Sequence, residues 1–240
     1  MKQGLSIIIG AVLWSLAASG TPMLLGGSSA FVSCGGLTCN SWSLVDKSAG
    51  VTISGGGLTA TDTVGAATDV GGRSVQHKSS GKVYWECDMS ATTGGNSGCG
   101  FASIAATFVG VNDLGANATQ GFINYAAGVV CYNGTCGKNC GTAGGVPNIV
   151  AYAVDRGTNL MWCHGVSNLG VCAAWQNPSF GTLGDPVAET NGQDISAVFG
   201  AQDIYGAYSF NVNNTSLTVN FGATSFHCTV PTGYKAGWYQ

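Results

Sequence analysis

From residue 41 onward the sequence is cut into short apolar runs by clusters of Gly, Asn, Ser and Thr, and this punctuation leaves room for little except strands. The runs fall at 50–53, 57–61, 82–89, 98–104, 119–125, 128–132, 148–154, 159–164, 206–210 and 216–221. Val83, Trp85, Cys87 and Met89 alternate with Tyr84, Glu86 and Asp88, the period-two pattern of a strand with one face buried. Strands do not alternate with helical patterns, no repeat or heptad is present, and no long linker follows residue 41. The expectation is one all-β domain over residues 41–240, an antiparallel β-sandwich, for which the length is ample.

The chemistry available to such a domain is narrow. Charged residues supply 8% of the chain against roughly 25% in ordinary soluble domains. The 8 Lys and Arg are outnumbered by 11 Asp and Glu, so no basic surface large enough to grip a nucleic acid is expected. The glutamates are Glu86 and Glu189, and the histidines are His77, His164 and His227, which leaves few groups for acid–base work. Glu86 and Asp155 read as hydrogen-bonding residues at strand ends and turns. There is no G-x-S-x-G elbow, and the glycines at 55–57 and 144–145 lack the lysine and helix of a phosphate loop. The chain reads as a non-enzyme with no cofactor.

Ten cysteines suit disulfides formed in an oxidising compartment. No pair is spaced C-x-x-C, and adjacent Cys163 and His164 would point to opposite faces of a strand, so no metal site is expected. Residues 159–164 and 170–175 read as a hairpin turning between Ser167 and Asn168, which places Cys163 opposite Cys172 within bonding distance. A second, local bridge is expected among Cys131, Cys136 and Cys140, and Cys34 and Cys39 are expected to bond to each other or to a neighbouring chain.

Residues 1–40 differ from the rest. Lys2 precedes the apolar stretch 4–18 (GLSIIIGAVLWSLAA), which is short of the ~20 residues of a membrane span, so no span is expected. It reads as a retained attachment and oligomerisation segment or as a cleaved secretory signal. If retained, Ile7, Ile8, Ile9, Val12, Leu13, Trp14, Leu16, Met23 and Leu24 need a partner, and a homo-oligomer is the simplest one.

A binding function would sit in the loops 105–118, 132–145 and 173–192. Tyr132, Asn133, Trp175, Asn177 and Asp185 are the candidate ligand residues, because aromatic rings with Asn and Asp suit stacking on a sugar and bonding its hydroxyls. The same residues could pin irregular loops to the scaffold. Trp85, Trp162 and Phe221 read as core packing.

Four segments resemble the SPRY (B30.2-like) family. Residues 78–88 (KSSGKVYWECD) resemble its G-K-x-Y-[WF]-E strand, and 98–103 (GCGFAS) its G-[IV]-G strand. Residues 148–163 (NIVAYAVDRGTNLMWC) resemble its central hairpin with Asp155 and Gly157 at the turn, although Asn148 stands where Gly-Asp is usual. Residues 217–226 (LTVNFGATSF), with Pro231 and Gly233 beyond, resemble the closing element. The stretches 42–61 and 175–192 are similar to SPRY domains of phage and prophage structural proteins. The resemblance implies a jelly-roll-type sandwich, and a non-enzymatic bacteriophage virion protein of a fibre, collar, tail or decoration subunit. It further implies attachment to other virion proteins, trimeric association and contact with a host surface glycan or protein. The alternative setting is a secreted or periplasmic bacterial binding protein.

Overall fold

The computed structural model describes residues 33–34, 37–64, 70–92, 97–108, 114, 121–125, 129–137, 140, 149–166, 170–211 and 214–239. The apolar stretch 4–18 lies outside them. A small hairpin, β1 (Ser33–Cys34) and β2 (Leu37–Thr38), precedes two antiparallel sheets.

The first sheet runs in the order β11 (Thr135–Cys136), β10 (Val130–Tyr132), β9 (Gly121–Tyr125), β8 (Gly98–Ser103), β17 (Ile204–Phe210), β6 (Val70–Lys78), β3 (Trp42–Lys47). The second runs β15 (Thr182–Leu183), β14 (Gln176–Asn177), β13 (Leu160–Val166), β12 (Ile149–Asp155), β7 (Lys82–Asp88), β18 (Ser216–Asn220), β5 (Thr59–Asp62), β4 (Val51–Ser54). Two short pieces join it: β16 (Gln193–Asp194) on β13, and β19 (Lys235–Ala236) parallel to β7. Among the described residues the one α-helix is the four-residue α1 (Ser196–Phe199), and no helix there is long and apolar enough to cross a membrane. The β-sandwich expected from the punctuation is the observed fold.

Alternation decides which side chains meet between the sheets. From β7, Val83, Trp85 and Cys87 point inward and join Trp42, Phe101, Tyr152, Tyr208, Phe221 and Trp238. Trp85 meets Trp238 edge-on with centroids 4.7 Å apart, and Trp42 meets Tyr208 at 4.8 Å. Such aromatic pairs contribute about 0.5–1.5 kcal/mol beyond their buried area. The alternation does not mean that only one face is buried, since Tyr84 and Glu86 on the other side are 0% and 1% exposed. A second layer, made by residues 170–192 and 226–234, covers that outer face. Period two marks a change of chemistry across the strand here, and not a boundary with water.

The disulfides tie these layers together. Cys87–Cys99 joins β7 to β8 and so links the two sheets, while Cys131–Cys136 bridges directly opposed residues of β10 and β11. Cys140 bonds Cys163, and Cys172 bonds Cys228. Cys39 is also disulfide-bonded, and the Cys34 side chain lies outside the described residues.

The expected Cys163–Cys172 bridge does not form, because the connection is longer than a tight hairpin. Cys163 opposes Gln176 and Val166 opposes Cys172, a displacement that puts the two sulfurs in different layers. Cys163 faces the interior, whereas partly buried Cys172 lies with Val166 and Ile149 against the C-terminal segment.

Candidate functional site

The outer face of the second sheet is a ladder of aligned residues. Register places His164, Ala151, Glu86 and Asn220 in one rung, with Trp162, Ala153 and Tyr84 in the next. Alanines at the centre leave room for rings to lie across the strands, and Tyr84, Trp162, Trp175, Phe226 and Tyr234 fill it.

Glu86 anchors the covering layer. Its carboxylate accepts the Tyr84 hydroxyl (2.6 Å), the backbone N–H of His227 (2.9 Å) and of Cys228 (3.0 Å), and the His227 ring at Nδ1 (3.0 Å). Burial, followed by this hydrogen bond to Glu86, pushes the Tyr84 phenol far above its ordinary pKa. Four donors saturate the carboxylate, so it is an internal tie. His164 stacks on Trp175 with centroids 3.9 Å apart and planes 9° from parallel, and its Nδ1 lies 2.8 Å from the Ala173 carbonyl. Burial lowers its pKa, which keeps the imidazole neutral near pH 7. Beside these residues a cleft of ≈160 Å³ has an apolar floor of Leu58, Ile149 and Val219 and a rim that includes Asp88, Thr224 and His227.

The loop from 170 to 192 is held firmly over this face. Trp162 Nε1 donates to the Thr190 carbonyl at 2.9 Å, Lys82 meets Glu189 at 2.6 Å, and Asp185 and Thr190 form a two-way backbone bridge. Gly184 and Gly192 lie flat on the Trp162 ring, where a Cβ would fall 2.7 and 2.6 Å from indole carbons. Trp85 and Phe221 are interior residues as read from the sequence, but Trp162 is buried beneath this loop and not between the sheets.

Of the five candidate ligand residues, Trp175 and Tyr132 pack inward, Asn177 and Asp185 hold turns, and Asn133 is exposed. Trp175 is half-buried against His164 and Tyr84. Asn177 is buried, and its Oδ1 accepts the N–H groups of Ser179 and Phe180. Asp185, though exposed, caps the next turn by accepting from Val187 and Ala188. Tyr132 is 7% exposed on the first sheet and donates to the Asp194 carbonyl, and Asn133 occupies the exposed turn after it at φ 50°. The structure therefore gathers Trp175, Asn177 and Asp185 into one loop and leaves Tyr132 and Asn133 on the other sheet.

Beside exposed Thr182, Asp185, Glu189, Thr190 and Asn191, that loop presents four large apolar side chains outward. Val171, Phe180, Leu183 and Val187 are all more than half exposed, with Phe180 at 69% and Leu183 at 65%. Sequence reasoning passed over them for the polar residues beside them. The available signal was an aromatic residue inside the turn sequence NPSFG, where Asn177 takes the turn's N–H groups and Gly181 takes a positive φ of 63°, leaving the ring outside. Exposed rings and branched chains on a stiff loop suit contact with a macromolecule. Among the described residues no group of three or more His, Cys, Asp or Glu could hold a metal ion.

No family model matches the chain. No curated protein matches it either. Among solved structures, the PSpry domain of TRIM65 aligns over 76% of this chain and 92% of its own length, at 10% identity and a TM-score of 0.50. Stonustoxin aligns over 75% of this chain and 27% of its own, at 14% identity and a TM-score of 0.52. The SPRY domain of human HERC1 aligns over 75% and 96%, at 11% identity and a TM-score of 0.49. At 10% identity the likeness to the TRIM65 domain concerns architecture alone, and the two-sheet arrangement is a SPRY-like fold.

Proposed function

We propose that this chain is a non-enzymatic adhesion module of a bacteriophage virion, a fibre, collar, tail or decoration subunit. Residues 1–40 attach it to other virion proteins and gather it into a homo-oligomer, with a trimer favoured by the resemblance to phage proteins. The SPRY-like sandwich faces outward and contacts a host surface glycan or protein. The observation that carries this reading is the loop at 170–192, in which Asn177 and Asp185 are spent on holding turns while Phe180, Leu183 and Val187 are displayed. A preordered loop loses little conformational entropy on binding. The disulfides support life outside the cytoplasm, where thiols oxidise.

Purified particles carrying a tag at Gln240 supply the test. Gold labelling should decorate a particle appendage, and Phe180→Ser with Leu183→Ser should reduce particle attachment to host cells at least tenfold without changing particle yield. Attachment unaffected by both substitutions would refute the assigned surface.

A second reading has its own support in the stretch 4–18, whose length fits the apolar core of a secretory signal. It makes the chain a secreted or periplasmic binding module. An intact mass lacking the first ~20 residues in the periplasm, with no protein on particles, would establish it in place of the virion reading.

A further inference from the structure

The β6–β7 connection passes from the first sheet to the second through residues 79–81, and a pocket of ≈280 Å³ opens there, lined by residues 77–82 and Lys235. Three of the chain's eight basic residues, Lys78, Lys82 and Lys235, sit in this lining, which contains no acidic residue. They are not equivalent. Lys82 is neutralised from outside the pocket by Glu189 at 2.6 Å and Asp155 at 3.6 Å, and the His77 ring lies 3.0 Å from Asp203. Among the described residues Lys78 and Lys235 have no carboxylate partner. Lys78 Nζ donates to the Tyr239 carbonyl at 2.7 Å. Parallel pairing of β19 with β7 sets Lys235 opposite Val83, next to Lys82.

Two like charges in one recess oppose each other, and burial followed by the nearby Lys235 charge lowers the Lys78 pKa. An anion between them removes that penalty. Ser79 and Ser80 are exposed and line the pocket, and Gly81 turns the chain at φ 78° with open space where a side chain would project. A tetrahedral oxyanion has enough oxygens to accept from two ammonium groups and two hydroxyls together. A nucleic-acid backbone needs a longer cationic track than a chain of net charge −3 offers.

We propose that the pocket at the β6–β7 turn binds a phosphate or sulfate oxyanion, with the Lys78 and Lys235 ammonium groups as its principal donors and the Ser79 and Ser80 hydroxyls completing the shell. The pocket adjoins the exposed loop through the Lys82–Glu189 ion pair. The inference rests on the adhesion reading only for the source of the oxyanion, a phosphorylated or sulfated surface saccharide.

The full chain is titrated by NMR with inorganic phosphate, sulfate, glucose 6-phosphate and glucose, at constant ionic strength. Saturable shifts of the amides of residues 78–82 and 235 are expected with the three anions and not with glucose. Lys235→Gln should weaken each at least tenfold. Lys78→Gln, which keeps a donor for the Tyr239 carbonyl, should do the same, and Lys47→Gln, outside the pocket, should change nothing. Tighter binding of glucose 6-phosphate than of inorganic phosphate assigns the site to a sugar-borne group, and equal affinities assign it to the free anion. Shifts that never saturate, or affinity that survives both lysine substitutions, overturn the site. Particle attachment lost on Phe180→Ser while phosphate still binds separates this result from the fate of the adhesion reading.

Discussion

Replacing Glu86 tests whether one carboxylate holds the covering layer to the sheet. Glu86→Ala removes the acceptor for four donors, two of which, the Tyr84 hydroxyl and the Cys228 N–H, are buried. A donor left buried without a partner costs about 1–3 kcal/mol, so these two set the loss at about 2–6 kcal/mol. The His227 donors contribute less, because that side chain is 53% exposed and can turn to water. Glu86→Gln keeps one oxygen for Tyr84 and Cys228 and turns its amide toward the His227 N–H, so its expected loss is about 1–2 kcal/mol. Urea unfolding with the disulfides intact measures both. The Cys172–Cys228 bridge holds the same segment, and its 56-residue separation corresponds to about 4 kcal/mol of chain entropy. In a Cys172→Ser, Cys228→Ser background the segment can lift and hydrate its donors, so Glu86→Ala should then cost at least about 1 kcal/mol less than in the native background. Hydrogen exchange at the Cys228 amide should accelerate in the Glu86→Ala protein. A loss below about 1 kcal/mol with unchanged exchange would refute the claim that Glu86 is the anchor.

Gly184→Ala places a methyl 2.7 Å from Trp162 Cδ1 and 3.0 Å from the Asn191 carbonyl, so it should destabilise by about 1–3 kcal/mol and alter the near-ultraviolet circular dichroism of the indole. Partial reduction followed by alkylation and mass mapping should open Cys172–Cys228 before Cys140–Cys163, since Cys172 is only partly buried while Cys140 and Cys163 are 0% exposed. Stability should fall with pH below about 6.5, because the unfolded His164 binds a proton that the folded one, with its lowered pKa, resists. His164→Phe keeps a ring on Trp175 and should flatten that part of the profile; an unchanged slope places the proton uptake elsewhere. Phe180→Ser should leave the urea midpoint nearly unchanged, as expected for a ring that is mostly in solvent.

Strand punctuation was legible because every connection had to spend Gly, Asn or Ser on a turn, and the apolar runs between are too short to be helices. The Trp85 and Phe221 placements followed from the same alternation. What could not be read was the second layer over the outer face. A sequence pattern reports which side chains are apolar, and Tyr84, Glu86 and His164 carry polar atoms that a burial pattern assigns to water. Their burial depends on Glu86 meeting residues 227 and 228, some 140 positions later. The Cys163 pairing failed for a related reason. A hairpin register derived from its own two strands assumes a tight turn, whereas Cys163 is fixed by Cys140 and Cys172 by Cys228, contacts outside the hairpin.

The candidate site shows the same limit in another form. Asn177 and Asp185 attracted attention because polar residues in a long loop suit a ligand, yet each supplies an acceptor to N–H groups two and three residues on. At the turns between and after the short strands β14 and β15, backbone donors must find side-chain partners or water, and Asn and Asp are the residues that satisfy them locally. With Asn177 and Asp185 committed to turns, the loop still exposes Thr182 and Thr190, but its bulkiest exposed side chains are Phe180 and Leu183. The lysines at the β6–β7 turn supply what that apolar surface lacks, a charged group with unspent donors. A ligand that engages both would combine an apolar or ring face with an oxyanion, and Lys82, bonded to Glu189 of the loop and lining the pocket, joins the two regions that such a ligand would span.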